Sequence, residues 1–393
     1  MSDSTLLDLL LVVLLLSFLV KGYRGGFVRS LGGIAGVVAG AAVAFFLVPL
    51  VGTWIPDPEW RTPATLVVAL VLVLGGFSTG ESIGHAIRSR AHRTKLRGVD
   101  RVFGAGLAVV ASALVVSMLA FSVGALGVPI LSSAIASSTV VRTINTLTPD
   151  PLQRFLAQLR STVVQDGLPR IVEAFTGPTP QIPEVNTGSP ALVSAARSVL
   201  KITGNASACG QNQSGSGFVV APGRVVTNAH VVAGVSEPVV ESPGGGALRG
   251  TVVYFDPVDD LAVIAVDGLA APPLRLTDNL APGSKAVADG YPFGGPFDSD
   301  PAEVISVDAV SVANIYGQDP RPREVYTLAS DVQQGESGGP LLSEAGQVAG
   351  VIFAKAANTP NVGYALAMEE LRPVATRAPS LSSAVASGHC VRG

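Results

Sequence analysis

The 393-residue chain is short of charge, cysteine and histidine, and each shortage excludes a class of protein. Charged residues make up only 14% of it, whereas a soluble domain has about 25%. The 26 Lys and Arg against 29 Asp and Glu give a net charge of -3, with no basic stripe of the kind that binds nucleic acid. The 2 Cys with a nearby His supply fewer ligands than a metal site needs. We therefore expect no nucleic-acid partner, no metal and no cofactor.

Four long apolar segments in the first third of the chain account for the missing charge, and the mean hydropathy of the chain is +0.47. Each segment supplies most of the roughly 20 residues that a helix needs to cross a bilayer. The first has no positive region before it and no small-residue cleavage site after it, so we interpret it as an uncleaved span and not as a signal peptide. We predict that residues 1–126 form an all-α transmembrane domain of four helices in contact with the lipid bilayer. The segments are 6–20, 30–56, 62–80 and the stretch from 102 to Arg142.

Positive charge predicts the orientation of these helices, because connections rich in Lys and Arg stay in the cytoplasm. The connections between spans one and two and between spans three and four are basic, whereas the second connection is not. Everything after the fourth span is therefore predicted to lie outside the cytoplasm, in the periplasm next to the inner cell membrane. The basic residues are Lys21, Arg24, Arg29, Arg88, Arg90, Arg93, Lys95, Arg97 and Arg101.

The second span is dense in small residues, and its Gly36–Gly40 pair has the spacing that lets two membrane helices pack closely. Before it runs the basic, glycine-rich stretch 21–29, which reads Lys-Gly-Tyr-Arg-Gly-Gly-Phe-Val-Arg. This combination resembles the colicin V production protein (CvpA) family of small multi-span membrane proteins. Charged residues within the membrane would indicate a solute pathway through the spans. The spans carry little charge beyond Asp8 and Glu81, which lie near the span ends.

Residues 127–190 are predicted to join the membrane domain to a second, external domain. Apolar residues recur at helical spacing from Leu152 to Phe175, which predicts an amphipathic helix on the membrane or on the second domain, or a plain packing helix. The Pro- and Gly-rich run from Gly177 to Pro190 is typical of an extended tether. Because proteolytic nicking concentrates in such exposed segments, we hypothesise that a cut here releases or activates the second domain.

The stretch Asp331–Pro340 (Asp-Val-Gln-Gln-Gly-Glu-Ser-Gly-Gly-Pro) carries the strongest chemical signal in the chain. Glycines on both sides of Ser337 allow a sharp turn that can aim successive backbone N–H groups at one point. Such donors stabilise the oxyanion that forms when a serine attacks a carbonyl, and Gly335 and Ser337 are the predicted donors. A serine hydroxyl is a weak nucleophile, so this interpretation also requires a base. The alternative is a glycine-rich hairpin with an incidental serine.

His230 is the predicted base, because the other three histidines are poorly placed. His85 and His92 lie in the Arg-rich connection between apolar segments, and His389 lies almost at the end of the chain. His230 follows an apolar strand-like run and precedes further valines, which is typical of a histidine held at the edge of a β-barrel.

An acid should orient the imidazole of that base, and the chain offers Asp260 directly before the β-forming run 261–266. Asp259 is the less favoured alternative, and either acid could be an ordinary residue at a turn or strand start. A histidine base works only when it is neutral, so activity should rise with pH through its titration. The order His230, Asp260, Ser337 is that of chymotrypsin-like double barrels and not of subtilisin-like or α/β-hydrolase chains.

Four segments in that order resemble the trypsin-like clan of serine proteases, and in particular its HtrA-type bacterial members. They are Gly215–Val220, Thr227–His230, Asp260–Val263 and Gly335–Pro340. The resemblance implies that residues 191–393 form an all-β chymotrypsin-like double β-barrel with the active site in the cleft between the barrels. Ten short β-rich runs between Gly, Pro, Asn and Asp turns agree with that expectation. They begin near residues 198, 217, 225, 248, 261, 285, 304, 325, 347 and 363.

The sequence says less about which substrate the site selects. Asp331 stands where trypsin-like digestive enzymes carry the acid of the primary specificity pocket, but a structural role is an equal alternative. The resemblance also assigns Phe353, Lys355 and Gly363 to the wall of the substrate pocket, where Lys355 could narrow the pocket or pair with Asp331.

Cys209 and Cys390 bracket the second domain. A location outside the cytoplasm permits them to form a disulfide bond, and the topology argument reached that location independently. Two unpaired thiols are the alternative.

A four-span anchor, a Pro-rich linker, an external protease-like domain and one cysteine pair together resemble the membrane-anchored mycobacterial acid-resistance serine proteases (MarP-like). That resemblance covers nearly the whole chain. It implies a serine endopeptidase that cleaves peptide or protein substrates of the cell envelope and helps the cell to survive acid or oxidative stress. The alternatives are a catalytically inactive protease fold that acts as a binding module, and a solute pathway through the four spans with an attached regulatory domain.

Overall fold

The computed structural model describes residues 3–54, 58–91, 97–124, 129–161, 170–171, 177–206, 211–243 and 246–391. The chain divides into two compact units, one of residues 6–117 and one of residues 118–393 together with 1–5. Each unit is described by itself. The domain boundaries at residues 126 and 190 stay predictions.

Four long helices make up the first unit, as the sequence predicts. Each contains a stretch that is long and apolar enough to cross a membrane. Most of their large apolar side chains are exposed, which is the pattern expected when lipid and not water surrounds a helix. The helices are α1 (Asp3–Gly25), α2 (Phe27–Trp54), α3 (Pro58–Ala91) and α4 (Arg97–Gly124).

Glycines bring the backbones of α2 and α3 into direct contact. A Cβ atom added to Gly36 would overlap the carbonyl oxygen of Gly76, and one added to Gly76 would overlap the carbonyl oxygen of Gly36. Gly40 packs in the same way against the backbone of Leu72 and Val73. The predicted close-packing pair Gly36–Gly40 therefore lies in this contact, where only glycine fits.

Polar contacts fix the starts and ends of these helices. The Asp100 carboxylate accepts hydrogen bonds from the backbone N–H groups of Phe27 (3.0 Å) and Val28 (3.4 Å), which open α2 and have no partner within the helix. An ion pair of 3.0 Å joins Arg29 to Glu81 and links α2 to α3.

Six shorter helices belong to the second unit. The predicted helix 152–175 is shorter than expected: α7 ends at Ser161, and Arg170–Ile171 form a strand, because a neighbouring sheet edge takes their backbone hydrogen bonds. Residues 162–169 and 172–176 of that prediction lie outside the described residues. The helices are α5 (Pro129–Ser137), α6 (Thr139–Leu147), α7 (Asp150–Ser161), α8 (Pro190–Ala196), α9 (Ala229–Val232) and α10 (Met368–Arg377).

A closed six-stranded barrel forms the first half of the β region, with the strand order β2-β3-β4-β7-β6-β5. Alternate side chains of its strands point inward and build a core that includes Leu200, Ile202, Val219 and Ile264, all fully buried. Its strands are β2 (Val199–Ala206), β3 (Gln211–Ala221), β4 (Arg224–Thr227), β5 (Val239–Glu241), β6 (Ala247–Asp256) and β7 (Leu261–Val266).

The second half is a seven-stranded sheet in the order β1-β12-β11-β8-β9-β10-β13, and an additional pairing between β12 and β13 closes six of these strands into a ring. The two-residue strand β1 lies outside that ring and pairs in parallel with β12. The strands are β1 (Arg170–Ile171), β8 (Lys285–Gly290), β9 (Asp298–Val312), β10 (Arg321–Ala329), β11 (Pro340–Ser343), β12 (Val348–Ala356) and β13 (Val362–Leu366).

All ten predicted β runs overlap a strand, and the sequence analysis missed β1, β5 and β11. The strand β5 has three residues and β1 has two, too few for an alternating pattern to stand out. The strand β11 begins with Pro340 directly after the serine motif, and proline argues against a strand interior.

Replacing Gly76 by Ala should destabilise the four-helix unit by about 1–3 kcal/mol, because the added methyl group overfills the contact with α2. Gly75→Ala is the matched control, since a Cβ atom at Gly75 meets nothing within 4 Å. Thermal unfolding of the full-length protein in detergent, followed by helical circular dichroism, measures both. Equal losses in the two variants would contradict the proposed contact.

Candidate active site

Strand pairing brings His230 and Asp260 to the same end of the first barrel. The antiparallel strands β4 and β7 pair with Thr227 opposite Ala262, so the residues after β4 and before β7 lie side by side. His230 Nδ1 lies 2.7 Å from Asp260 Oδ2, and the backbone N–H of His230 donates to Asp260 Oδ1 at 2.9 Å. Both side chains are buried. This two-point contact fixes the imidazole against the carboxylate and leaves the other ring nitrogen for chemistry.

The backbone of Asp260 is unusual, because its φ of 53° lies in the left-handed region that few non-glycine residues adopt. The buried Asn228 supports that conformation, since its side-chain amide donates to the Asp260 carbonyl at 2.8 Å. The alternative acid, Asp259, instead donates its backbone N–H to Asp256 (3.2 Å), and burial raises the pKa of its carboxyl group. Asp260 is therefore the acid that the structure places against His230.

Ser337 lies in a tight turn against the barrel edge that leads to His230. Its carbonyl oxygen accepts a hydrogen bond of 2.8 Å from the backbone N–H of Ser216 in β3. A Cβ atom on Gly338 would overlap the Ser216 carbonyl and the Thr227 hydroxyl, so the serine loop touches the end of β4 directly. The Ser337 hydroxyl is buried and has no hydrogen-bond partner among the described residues. Bonds between a nucleophile and its base often tighten only when substrate binds.

Hydrogen bonds fix the orientations of the peptide groups on both sides of Gly335, one of the two predicted oxyanion donors. The backbone N–H of Phe293 donates to the Gln334 carbonyl at 2.5 Å. The C=O and N–H of a trans peptide group point in opposite directions, so the Gly335 N–H of the same peptide group points away from Phe293. The Ser216 hydroxyl donates to the Gly335 carbonyl at 2.7 Å and accepts from the Tyr291 N–H at 2.9 Å. Gly335 has a φ of 94°, which favours glycine at this position.

Three residues in or against this turn were not singled out as functional in the sequence analysis. Ser216 stood only as a member of the matched segment Gly215–Val220, and the Gly-Ser-Gly pattern was the one available signal for it. Phe293 has a φ of 57°, which no local pattern indicates. Glu336 carries a charge in sequence but is fully buried in the structure, where its Oε2 accepts the Gln333 N–H at 2.9 Å.

The predicted substrate-pocket residues fall into two groups. Asp331 and Lys355 line a cavity of about 350 Å³ together with Val332 and the loop 356–362. Asp331 accepts a hydrogen bond from the Gln333 side chain at 2.6 Å and makes no ion pair with Lys355 within the part of the chain that the structure describes.

The other two predicted pocket residues do not line that cavity. Phe353 is buried in the core beneath the guanidinium of Arg323, 5.8 Å from the ring centre. Gly363 packs against the Val332 side chain, which occupies the space that a Cβ atom would need. The assignment of these two residues to the substrate pocket stays a prediction.

The linker contributes a strand to the open edge of β12 beside this cavity. Arg170 and Ile171 pair in parallel with Lys355 and Ala356. The backbone groups along that edge therefore already have partners, and an extended peptide that binds there must first displace β1.

The predicted disulfide cannot be assigned in full, because Cys209 lies outside the described residues. Cys390 lies against Gly234, and none of the cysteines that the structure describes is free. The pairing of Cys209 with Cys390 stays a prediction.

Comparison with known proteins identifies the same two regions as the sequence motifs. Residues 215–351 match the trypsin-like peptidase domain family, and residues 7–149 match the colicin V production protein family. Serine protease Rv3671c of Mycobacterium tuberculosis H37Rv is 34% identical over 380 residues, which cover 94% of this chain and 95% of that protein. The chain belongs to the Rv3671c family. The predicted MarP-like resemblance is thereby confirmed, and the chain is a serine endopeptidase.

A solved structure and a more distant relative agree with that assignment. The crystal structure of the Rv3671c protease in its active form superposes with a TM-score of 0.52 at 37% identity and covers 56% of this chain and 100% of that one. The putative serine protease HhoB of Synechocystis is 36% identical over 164 residues, or 41% of this chain and 39% of its own.

Ser216→Ala should lower kcat about 10- to 100-fold with little change in KM, because the Gly335 carbonyl loses its donor and the oxyanion donors lose their alignment. Ser214→Ala is the matched control on the same strand, since the Ser214 hydroxyl has no hydrogen-bond partner among the described residues. Steady-state kinetics on a peptide substrate measures both. A higher KM with an unchanged kcat would instead assign Ser216 to substrate binding.

Proposed function

We propose that the chain is a membrane-tethered, extracytoplasmic serine endopeptidase with a catalytic triad of His230, Asp260 and Ser337. The observation that carries the proposal is the pair of hydrogen bonds between Asp260 and His230, next to a turn that presents Ser337. The imidazole is held in the orientation that a general base requires, and the nucleophile lies on the adjoining loop.

In the proposed mechanism, His230 Nε2 takes the proton of Ser337 as Oγ attacks the carbonyl carbon of the substrate peptide. The N–H groups of Gly335 and Ser337 stabilise the oxyanion, and Asp260 stabilises the imidazolium. The imidazolium then gives its proton to the leaving amine, which breaks the C–N bond and leaves an acyl-enzyme. Water repeats the sequence in the second half, and the hydroxyl of Ser337 is restored.

The β region is proposed to be a chymotrypsin-like double barrel. The closed six-stranded barrel and the ring of six strands closed by β12 and β13 support this assignment. His230 and Asp260 follow and precede strands of the first barrel, whereas Ser337 lies between β10 and β11 of the second. The substrate cleft then lies between the two barrels, with Asp331 and Lys355 at one side.

The location of the peptidase rests on the four apolar helices and on the charges between them. Lys and Arg concentrate in two of the three connections, which favours a cytoplasmic location for those two. The peptidase then lies in the periplasm, where it meets proteins of the cell envelope. Resemblance to MarP-like proteases supports a role in survival of acid or oxidative stress.

Asp260→Asn should lower kcat by about 10⁴-fold, because an amide cannot hold the required tautomer or stabilise the imidazolium. Asp259→Asn is the matched control and should keep activity near that of the wild type. Peptide hydrolysis and labelling of Ser337 by a fluorophosphonate measure the effect, and survival of cells at low pH tests the stress role with the same pair. Wild-type rates in Asp260→Asn would exclude the triad, and a wild-type protein that does not label would favour an inactive binding module.

External protease added to spheroplasts should remove an epitope at the C-terminus and spare one inserted between Ala91 and Arg97. The positive charges keep the second epitope in the cytoplasm, where the protease cannot reach it. Detergent lysis, after which both epitopes should be cut, is the control. The reverse pattern would place the peptidase in the cytoplasm.

A further inference from the structure

Glu336, the residue before the nucleophile, is fully buried (0% exposed) although it carries a carboxyl group. Its Oε2 accepts the Gln333 N–H at 2.9 Å, while the Glu336 N–H donates to the Gln333 carbonyl at 3.2 Å. These two bonds close the turn on which Gly335 and Ser337 present their N–H groups. Its other oxygen, Oε1, is buried and receives no N–H or hydroxyl donor from the described residues.

The carboxyl group of Asp300 in β9 lies close enough to the Glu336 carboxyl group for the two to act on each other's pKa. Ionised carboxylates only accept hydrogen bonds, so a hydrogen bond between them requires a proton on one of the two groups. Burial raises the pKa of Glu336 well above its usual range, and the hydrogen bond and charge of Asp300 act in the same direction. Burial also raises the pKa of Asp300, while its hydrogen bond to Glu336 opposes that shift. One proton is therefore shared between the two carboxyl groups, and Glu336 is the more deeply buried of the two.

The charges that face this pair come from four elements and are mostly negative. Three acids face it: Asp298 of β9, Asp331 in the loop after β10 and the buried Asp289 of β8. The negative charges of Asp298 and Asp331 raise the pKa of Asp300, and the charge of Asp300 in turn raises the pKa of Asp289. Arg154 of α7 is the one cation that acts on Asp300 among the described residues, and it binds the Asp298 carboxylate at 3.1 and 3.2 Å. The surroundings thus favour retention of the proton.

We propose that Glu336 is a positioning residue for the proposed oxyanion hole, and that the turn keeps its shape only while Glu336 and Asp300 share one proton. Loss of the proton puts two negative charges in contact in a buried site, which drives the Glu336 side chain outward. The Gln333 N–H then loses its acceptor, and the N–H groups of Gly335 and Ser337 no longer point toward the same position. The effect reaches the substrate only through the backbone of the turn.

The pH dependence expected from this pair is opposite to that of the proposed base. His230 must be neutral to act, so protonating it removes activity as the pH falls. The pair must keep a proton, so activity is present below its pKa and is lost as the pH rises through it. The inference rests on the proposed triad for its activity measurement. The proton shared by Glu336 and Asp300 can be observed without measuring activity.

The test uses the full-length protein in detergent and compares the pH profile of kcat/KM for wild type, Glu336→Gln and Asp300→Asn. Gln has nearly the shape of a protonated Glu, accepts from Gln333 through its oxygen and donates to Asp300 through its amide at every pH. Asp289→Asn is the matched control, because burial raises the pKa of Asp289 to about 7 in the same cluster and its loss removes an equal charge.

In the wild type, kcat/KM should fall about tenfold per pH unit beyond the alkaline pKa of the pair. In Glu336→Gln the alkaline fall should move up by about one pH unit or more, whereas Asp289→Asn should keep an alkaline fall, at the pH of the wild type or slightly below it, because it removes a neighbouring negative charge. An alkaline fall left in place by Glu336→Gln, or abolished by Asp289→Asn, would overturn the proposal. Circular dichroism at each pH separates these outcomes from unfolding, and Asp300→Asn replaces Glu336→Gln if that variant does not fold.

Infrared spectroscopy gives a readout that does not depend on activity. The difference spectrum between the wild type and Glu336→Gln at neutral pH should contain the C=O stretch of a protonated carboxyl group, because subtraction cancels the bands of Asp289 and other partly protonated acids. A difference spectrum without that band would overturn the proposal whatever the kinetics. Absence of fluorophosphonate labelling in the wild type at every pH would instead overturn the triad, and the infrared result would still decide the proton.

Discussion

The turn from Gln333 to Gly338 is the constraint on which the rest of the peptidase depends. It must hold three successive peptide groups in orientations that neither a helix nor a strand provides, with φ values of 94° at Gly335 and 84° at Gly338. No regular backbone pattern stabilises such a turn, so its carbonyl groups are fixed one by one by Phe293, Ser216 and the turn itself. A turn built in this way is pre-organised before substrate arrives, which is what electrostatic stabilisation of an oxyanion requires.

The barrels matter because they bring these separate parts to one place. The pairing of β4 with β7 sets the spacing between His230 and Asp260, and β3 supplies Ser216 to the serine turn between β10 and β11. Each contact involves residues more than 25 positions apart in sequence, so none can form before the strands pair. The geometry of the proposed catalytic site is therefore a property of the folded β region and not of any one motif.

Sequence reasoning reached the parts of the site that carry a local signature. Glycines around Ser337, an apolar strand before His230 and an acid before a β run each follow from local chemistry, and the structure brings His230 and Asp260 together. It did not identify Phe293, because that residue contributes a backbone N–H and a positive φ that no side-chain pattern indicates. It did not identify Glu336 either, because a lone glutamate in a sequence is typical of an exposed surface residue. The short strands β1 and β5 were missed for a related reason, because tertiary pairing and not periodicity makes them strands.

The buried acids beside the turn show how far the fold departs from what stability alone favours. Glu336 and Asp289 each bury a carboxyl oxygen that receives no donor from the described residues, and an unsatisfied buried polar group costs about 1–3 kcal/mol. Gly290 packs directly on the Glu336 side chain, so the group is enclosed by backbone that leaves little room for rearrangement. The charge balance also reaches beyond residues 215–351 of the peptidase match, because Arg154 lies on a helix that precedes the barrels. Without Arg154, the charged groups that act on Asp300 among the described residues would all be negative. The helix α7 therefore affects the charge state of Asp300 although it lies far from Ser337 in sequence.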